Sequence, residues 1–275
     1  MSANILFVTL DSCRYDTFVS ANAPNLKRVG ELFRAKSSSH FTYGAHASFF
    51  MGFTPGVASL AEPYVNPKYG KIFRMKGGGF AGYHPPYLEL EGSNIIDGLR
   101  KLGYATLGSG AVGWFDPSSE TGKILTQSFN DFYYPGNSCS LLKQLQWIHE
   151  RLSQCPPPHF VFLNIGETHV PYYHDGASWD ASYNPCVPFS VNNDAQECRR
   201  RQIACLEFID AHIDSMIQRF SDGLIIICAD HGDAWGEDGL WEHGISHDAV
   251  LDVPLLVKLP PGARRKPFLH NLARA

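Results

Sequence analysis

The chain has 275 residues, 44 % hydrophobic and 18 % charged, which is enough apolar material for a sizeable core and excludes a disordered or fibrous class. A formal net charge of −4 and a pI near 6.3 supply no basic face for nucleic acid. No stretch approaches the roughly 20 apolar residues of a membrane span, and the N-terminal apolar run lacks a basic leader and a small-residue cleavage site. The expectation is one soluble, cytoplasmic α/β domain over 1–275, free of membrane and compatible with a homo-oligomer.

The run Asn4-Ile5-Leu6-Phe7-Val8-Thr9-Leu10 suits an interior strand covered on both faces, and it closes on Asp11. Pro24 to Ala35 carries Leu26, Val29, Leu32 and Phe33 at helical spacing with proline at the start, which predicts the first crossover helix. Residues 54–92 are rich in Gly, Pro and Tyr without a sustained period, as in a functional or mobile loop. Ser93 to Leu102 reads as a capped helix stopped at Gly103, followed by a short strand over Tyr104–Leu107.

Ser140 to Leu152 is a second amphipathic helix, and Pro156-Pro157-Pro158 ends the chain's helical run before the strand Phe160–Asn164. The longest helical pattern spans Asp194 to Phe220. Leu224-Ile225-Ile226-Ile227 then forms a buried strand running through Cys228-Ala229 to Asp230-His231-Gly232, and Val253–Val257 is the last strand before a basic tail. Strand and helix alternation of this kind predicts a mainly parallel central sheet flanked by helices on both faces. The seven cysteines are odd in number and scattered, which fits neither a disulfide frame nor a zinc knuckle and leaves them as small apolar residues.

Open α/β sheets bind ligands at the carboxyl ends of their strands, so Asp11, Asp230 and His231 offer two carboxylates and an imidazole to one place. Taken singly, each Asp could equally close a turn or cap a helix. Mixed oxygen and imidazole ligation suits Zn²⁺ first and Mn²⁺ next, ahead of Ca²⁺.

The segment from Asp230-His231-Gly232 through Glu242-His243-Gly244 to Asp252-Val253-Pro254-Leu255-Leu256-Val257 resembles the C-terminal signature of the sulfatase and alkaline phosphatase superfamily. The strand closing on Asp11 with Arg14, Tyr15 and Asp16, the Pro24-Asn25-Leu26 element, residues 93–107 and Glu167-Thr168-His169-Val170-Pro171-Tyr172 resemble further pieces in the same order. The resemblance implies an alkaline phosphatase-like fold and places Thr42, in Thr42-Tyr43-Gly44-Ala45-His46, at the nucleophile. Arylsulfatases carry there a Cys or Ser converted to formylglycine, within Cys-x-Pro-Ser-Arg; this chain has neither the Cys nor the Arg. Threonine is similar to the phosphoethanolamine transferases and phosphodiesterases of the superfamily, where it attacks phosphorus unmodified. Thr42 as an ordinary helix N-cap is compatible with that role, because a helix N-terminus favours an anionic substrate.

The resemblance therefore implies a metal-dependent phosphohydrolase acting on a small-molecule phosphomonoester, phosphodiester or phosphonate ester through a phospho-Thr42 intermediate. A phospho-group transferase, a sulfuric ester hydrolase and a non-catalytic metal-binding scaffold are the alternatives. The expected metal set is Asp11, Thr42, Asp230 and His231. His169 and His243 are expected to bind phosphoryl oxygens or protonate the leaving group, or else to ligate a second metal. Arg14, His46 and His247 are candidates for substrate binding. Ser12 stands where sulfatases usually place a second Asp, which weakens that ligand position and favours a single tight metal. Substrate recognition is expected in residues 54–92 and 170–193.

Overall fold

The structure is a computed structural model that describes residues 2–52, 73–76, 89–92 and 94–263. In chain order its elements are β1 (Ile5–Leu10), α1 (Tyr15–Ser20), α2 (Pro24–Lys27), β2 (Leu32–Lys36), α3 (Thr42–Met51), β3 (Phe73–Lys76), β4 (Glu89–Gly92), α4 (Ile95–Lys101) and β5 (Ala105–Gly110). There follow α5 (Glu120–Thr126), β6 (Asp131–Tyr133), α6 (Leu141–Gln154), β7 (His159–Ile165), α7 (Ala195–Arg219), β8 (Leu224–Ala229), β9 (Ala234–Trp235), β10 (Trp241–Glu242), α8 (Asp248–Leu251) and β11 (Asp252–Lys258). Seven strands make one sheet in the order β2-β11-β8-β1-β7-β5-β6. The contacts from β8 through β6 are parallel, and β11 runs antiparallel to both β8 and β2.

Both faces of this sheet are covered, and strand alternation decides what goes where. Leu6, Val8 and Leu10 of β1, Val161, Leu163 and Ile165 of β7, and Ile225 and Ile227 of β8 join Phe18, Leu26, Ile148, Ile209 and Ile213 in one core. The intervening residues Phe160 and Phe162, with Ile5 and Phe7 packed alongside, meet Phe50, Ile96, Phe115 and Leu125 from α3, α4 and the α5 region. The mainly parallel sheet between two helical layers is thus present.

Local expectations need correction in three places. The helix expected over Pro24 to Ala35 stops at Lys27, and Leu32–Lys36 is an edge strand paired with β11. The 3–4 spacing was coincidental: a Cβ on Gly30 would lie 2.8 Å from the Val257 carbonyl oxygen, so the chain turns against β11 there. β5 begins at Ala105 and runs to Gly110, beyond the expected Leu107. Gly108 and Gly110 hide that extension from any side-chain period, since they leave room for the rings of Phe132 and Phe115. Within 54–92, β3 and β4 form an antiparallel pair. The rest of that segment, the start of the helix at Ser93, and the basic tail from residue 264 lie outside the described residues, as do His84 and His270.

Candidate metal centre and nucleophile

Register places the carboxylates. Leu10 of β1 lies opposite Ala229 of β8, so the next residues, Asp11 and Asp230, leave the sheet side by side. Alternation sends them to the α3 side. Asn164, also on that side of β7, donates from Nδ2 to Asp11 Oδ2 (3.1 Å) and to Thr9 Oγ1 (3.2 Å). The backbone N–H groups of Ser12 (3.1 Å) and His231 (2.9 Å) both donate to Asp230 Oδ1. Ser12, which replaces the expected second Asp, therefore orients the carboxylates through its backbone, and its hydroxyl donates to Asp11 Oδ1 (3.3 Å).

Gly232 explains the glycine after His231. Its N–H donates to the Val250 carbonyl (2.7 Å), and a Cβ there would come within 2.5 Å of the Ala249 carbonyl oxygen. Only a residue without a side chain lets the strand end pass that close and still turn His231 inward.

Asp11, Asp230 and His231 are fully buried, and their ligand atoms lie within 4.8 Å of one another. Asp230 Oδ2 has no hydrogen-bond partner among the described residues. Burial, and then the charge of Asp230, raise the Asp11 carboxyl above its ordinary range. Burial raises Asp230 to about 6 against the pull of the two backbone N–H groups. Burial and the charge of His243 push His231 down to about 4, which keeps its imidazole neutral. Two crowded, desolvated carboxylates, one with an orphaned oxygen, beside a neutral imidazole fit a divalent cation.

Thr42 stands where the sequence places the nucleophile. It is the first residue of α3, fully buried, with Oγ1 3.2 Å from His231 Nε2. The N-cap position belongs to Phe41, whose side chain makes no capping bond, so the Thr42 hydroxyl is not spent on a cap. A helix N-terminus favours an anion beside it.

Three imidazoles face this point, and each has its Nδ1 held by an outside acceptor. His169 Nδ1 donates to the Val170 carbonyl (2.8 Å), His231 Nδ1 to the Gly232 carbonyl (3.0 Å), and His243 Nδ1 to Asp233 Oδ1 (2.8 Å). The ring of His243 lies 4.5 Å from that of His231 and 5.3 Å from that of His169. Burial opposes charge on His243, but the hydrogen bond and charge of Asp233 outweigh it and raise the imidazole to about 9. A second cluster, His231, Asp233 and His243, also satisfies ligand proximity. Both oxygens of Asp233 are already engaged, however, by His243 Nδ1 and by the Tyr172 hydroxyl (2.8 Å).

Of the three substrate-binding candidates, Arg14 and His247 stand apart from this cluster, and His46 borders it with Nδ1 3.7 Å from Asp230 Oδ2. His46 is fully buried, with Nδ1 donating to the Thr42 carbonyl (2.8 Å) and Nε2 3.0 Å from Thr9 Oγ1, inside a box of Phe49, Phe50, Phe115 and Phe162. Burial lowers it to about 3, so it is a neutral brace for the first turn of α3. Arg14 is neutralised by Asp16 and Glu237, donates to the Asp233 carbonyl and lies over the Trp235 ring. His247 caps α8 by accepting from the Ala249 N–H (3.0 Å). Arg14 and His247 both line a separate cavity of about 450 Å³ with Tyr15, Arg34 and Asp248, which none of Asp11, Asp230 and His231 lines.

The sulfatase family model matches residues 3–272. The chain belongs to the sulfatase family. Against this sulfatase-family chain, choline-sulfatase from Rhizobium meliloti (strain 1021) is 23 % identical over 336 aligned positions, covering 97 % of the chain and 64 % of that relative's length. Among solved structures, the C-terminal periplasmic domain of phosphoethanolamine transferase EptC from Campylobacter jejuni superposes with a TM-score of 0.61 at 14 % identity, over 94 % of this chain and 79 % of that one. The corresponding EcEptC domain from Escherichia coli, a complex with Zn, gives 0.64 at 14 % identity, over 94 % and 73 %. Lipoteichoic acid synthase LtaP from Listeria monocytogenes gives 0.59 at 14 %, over 96 % and 67 %. These structures share the fold of this chain.

Asp233, Tyr172, Trp235 and Asn164 were not among the residues expected from sequence. A signal for Asp233 existed in the hairpin that follows it. Trp235 pairs with Trp241 and Ala234 with Glu242, so Asp233 and His243 flank the end of this short ladder. Strands of two residues are too short to show as alternation.

Proposed function

We propose that this sulfatase-family protein is a metal-dependent phosphohydrolase that uses Thr42 as its nucleophile, on a phosphomonoester, phosphodiester or phosphonate ester of a small molecule. The observation that carries the reading is the Thr42 hydroxyl, buried and uncommitted to a cap, 3.2 Å from His231 Nε2 in the Asp11, Asp230 and His231 cluster. Asp11, Asp230, His231 and Thr42 would hold the ion, zinc before manganese. When bound it favours the alkoxide of an alcohol and polarises a phosphoryl oxygen. The N-terminus of α3 favours the anion, and His46 fixes its first turn. His169 and His243 bind the remaining phosphoryl oxygens or meet the leaving group.

In the first half-reaction Thr42 Oγ1 bonds to phosphorus, losing its proton to solvent, while the ester P–O bond breaks and the departing oxygen takes a proton. In the second, water bonds to phosphorus and gives up a proton, and the Thr42 O–P bond breaks with its oxygen reprotonated. A transferase follows the same first half and replaces water by an alcohol or amine. The threonine side chain argues against sulfatase chemistry of the formylglycine kind, because its Cβ carries a methyl group and cannot become an aldehyde. The test is purified, metal-assayed protein offered nitrophenyl phosphomonoester, phosphodiester, phosphonate and sulfate substrates. Metal-dependent turnover of a phosphorus ester, abolished by Thr42→Ala, is the expected outcome. Turnover confined to the sulfate ester would refute the reading, and product appearing only when an alcohol acceptor is added would make the protein a transferase.

A further inference from the structure

Behind His243 lies a chain of side chains that the chemistry above does not use. Trp235 Nε1 donates to the Tyr172 hydroxyl (2.9 Å), the Tyr172 hydroxyl donates to Asp233 Oδ2 (2.8 Å), and Asp233 Oδ1 accepts from His243 Nδ1 (2.8 Å). Asp233 and Tyr172 are fully buried, and Trp235 is nearly so. Tyr172 packs edge-on against Trp235 in a small core with Cys186, Cys198 and Cys205. Tyr172 also accepts from Trp179 Nε1 at its carbonyl (3.0 Å), and it holds a left-handed φ of 56°, a conformation that a bulky residue keeps only where its surroundings enforce it.

A buried carboxylate with one oxygen on an imidazole and the other on a phenol has its rotation fixed at both ends. It then fixes the ring it holds, because an imidazole whose Nδ1 must donate to a carboxylate can present only Nε2 to the cleft. The hairpin delivers the pair: Asp233 and His243 directly adjoin the Ala234–Glu242 end of the β9–β10 ladder. The Arg14 guanidinium, donating to the Asp233 carbonyl (3.0 Å) and lying 4.3 Å over Trp235, holds the same strand from its other side.

We propose that Asp233, locked by Tyr172 and Trp235, is a positioning residue that directs His243 Nε2 at the substrate. The claim rests on the phosphoesterase reading for its kinetic consequences, but the orientation itself can be observed without turnover. In zinc-loaded protein at neutral pH, nitrogen-15 NMR should find His243 Nδ1 carrying a hydrogen-bonded proton, assigned by its loss in His243→Ala. Asp233→Asn is nearly isosteric but cannot accept from both His243 and Tyr172, so that resonance should be lost or displaced. With a nitrophenyl phosphoester, kcat should fall about 10- to 100-fold in Asp233→Asn while KM and zinc content hold within about threefold. The decisive comparison is the double variant. If Asp233 acts through His243, adding Asp233→Asn to His243→Ala costs less than about twofold more. Tyr172→Phe, which frees one carboxylate oxygen and leaves the ring packing intact, should give a smaller loss of the same kind.

Additive losses in the double variant, or an Nδ1 resonance indifferent to Asp233→Asn, would overturn the proposal. So would loss of a bound zinc ion from Asp233→Asn, which would make Asp233 a ligand of a second metal. If wild-type protein turned over no phosphoester, the functional reading would fail while the NMR result still decided the orientation.

Discussion

Thr42 and Gly232 carry the two most demanding residue-level constraints. Thr42→Ala removes an oxygen and leaves Asp11, Asp230 and His231 untouched, so bound metal should stay within about twofold of wild type while kcat drops by roughly three orders of magnitude or more. Elemental analysis beside steady-state kinetics checks this. Near wild-type turnover would mean that water attacks directly and Thr42 only helps to hold the ion. Gly232→Ala tests the close approach at the strand end. The added methyl meets a backbone carbonyl at 2.5 Å, which cannot rotate away, so urea denaturation should show a loss of about 1–3 kcal/mol together with weaker metal binding. At this scale the sequence was most legible where chemistry demands particular atoms: Asp11, Asp230 and His231 meet as their types suggested, and Thr42, placed by the resemblance, lies beside them. It was least legible where a polar side chain serves the fold. The surroundings of Arg14 and His46, salt bridges about one and an aromatic box about the other, have no mark in their residue types.

Elements were readable in proportion to their length and period. α7, with 25 residues, shows its apolar stripe in the sequence, and the structure adds a cap, the side chain of Asp194 accepting from the N–H groups of Gln196 and Glu197. β2 was missed because four apolar positions over twelve residues fit a helix as well as they fit a turn followed by an edge strand. Within α7, Glu197 binds Arg200 (2.7 Å) and the buried Arg201 (2.6 Å), and Arg201 in turn donates to the Tyr183 carbonyl (2.9 Å), tying the loop after β7 to the helix. Its bonds to Arg200, and then to Arg201, hold the Glu197 carboxyl down at about 2. Because the folded value lies below the ordinary 4.5, the stabilisation is complete above about pH 5 and vanishes as pH falls to 2. Glu197→Gln should accordingly lower the melting temperature at pH 7, by an amount typical of a partly exposed ion pair, and leave it nearly unchanged at pH 2. A uniform effect across that range would show that packing, and not charge, links loop and helix.

For the whole molecule, the sheet concentrates an unfavourable feature at its centre. β1 and β8 are interior strands, and both end on buried carboxylates that repel one another. A cation binding there acts on the entire fold, because the strands it joins belong to the core of both layers. In metal-free protein, raising the Asp230 carboxyl from 3.8 to about 6 costs the folded state about 3 kcal/mol once the group is ionised. The sign follows from the raised value: the penalty is fully present above pH 6, shrinks as pH falls, and is gone below 3.8. Metal-free Asp230→Asn should therefore be more stable than metal-free wild type at pH 8, by about 1–3 kcal/mol in urea denaturation, and the gap should close near pH 4. Adding zinc should invert the order. Wild type gains stability with the logarithm of free metal, about 4 kcal/mol at a thousandfold excess over Kd, whereas Asp230→Asn, lacking a charged ligand, should respond weakly. This crossing separates a metal centre from a merely structural carboxylate pair, because a pair held by hydrogen bonds alone would lose stability on substitution both with and without the ion.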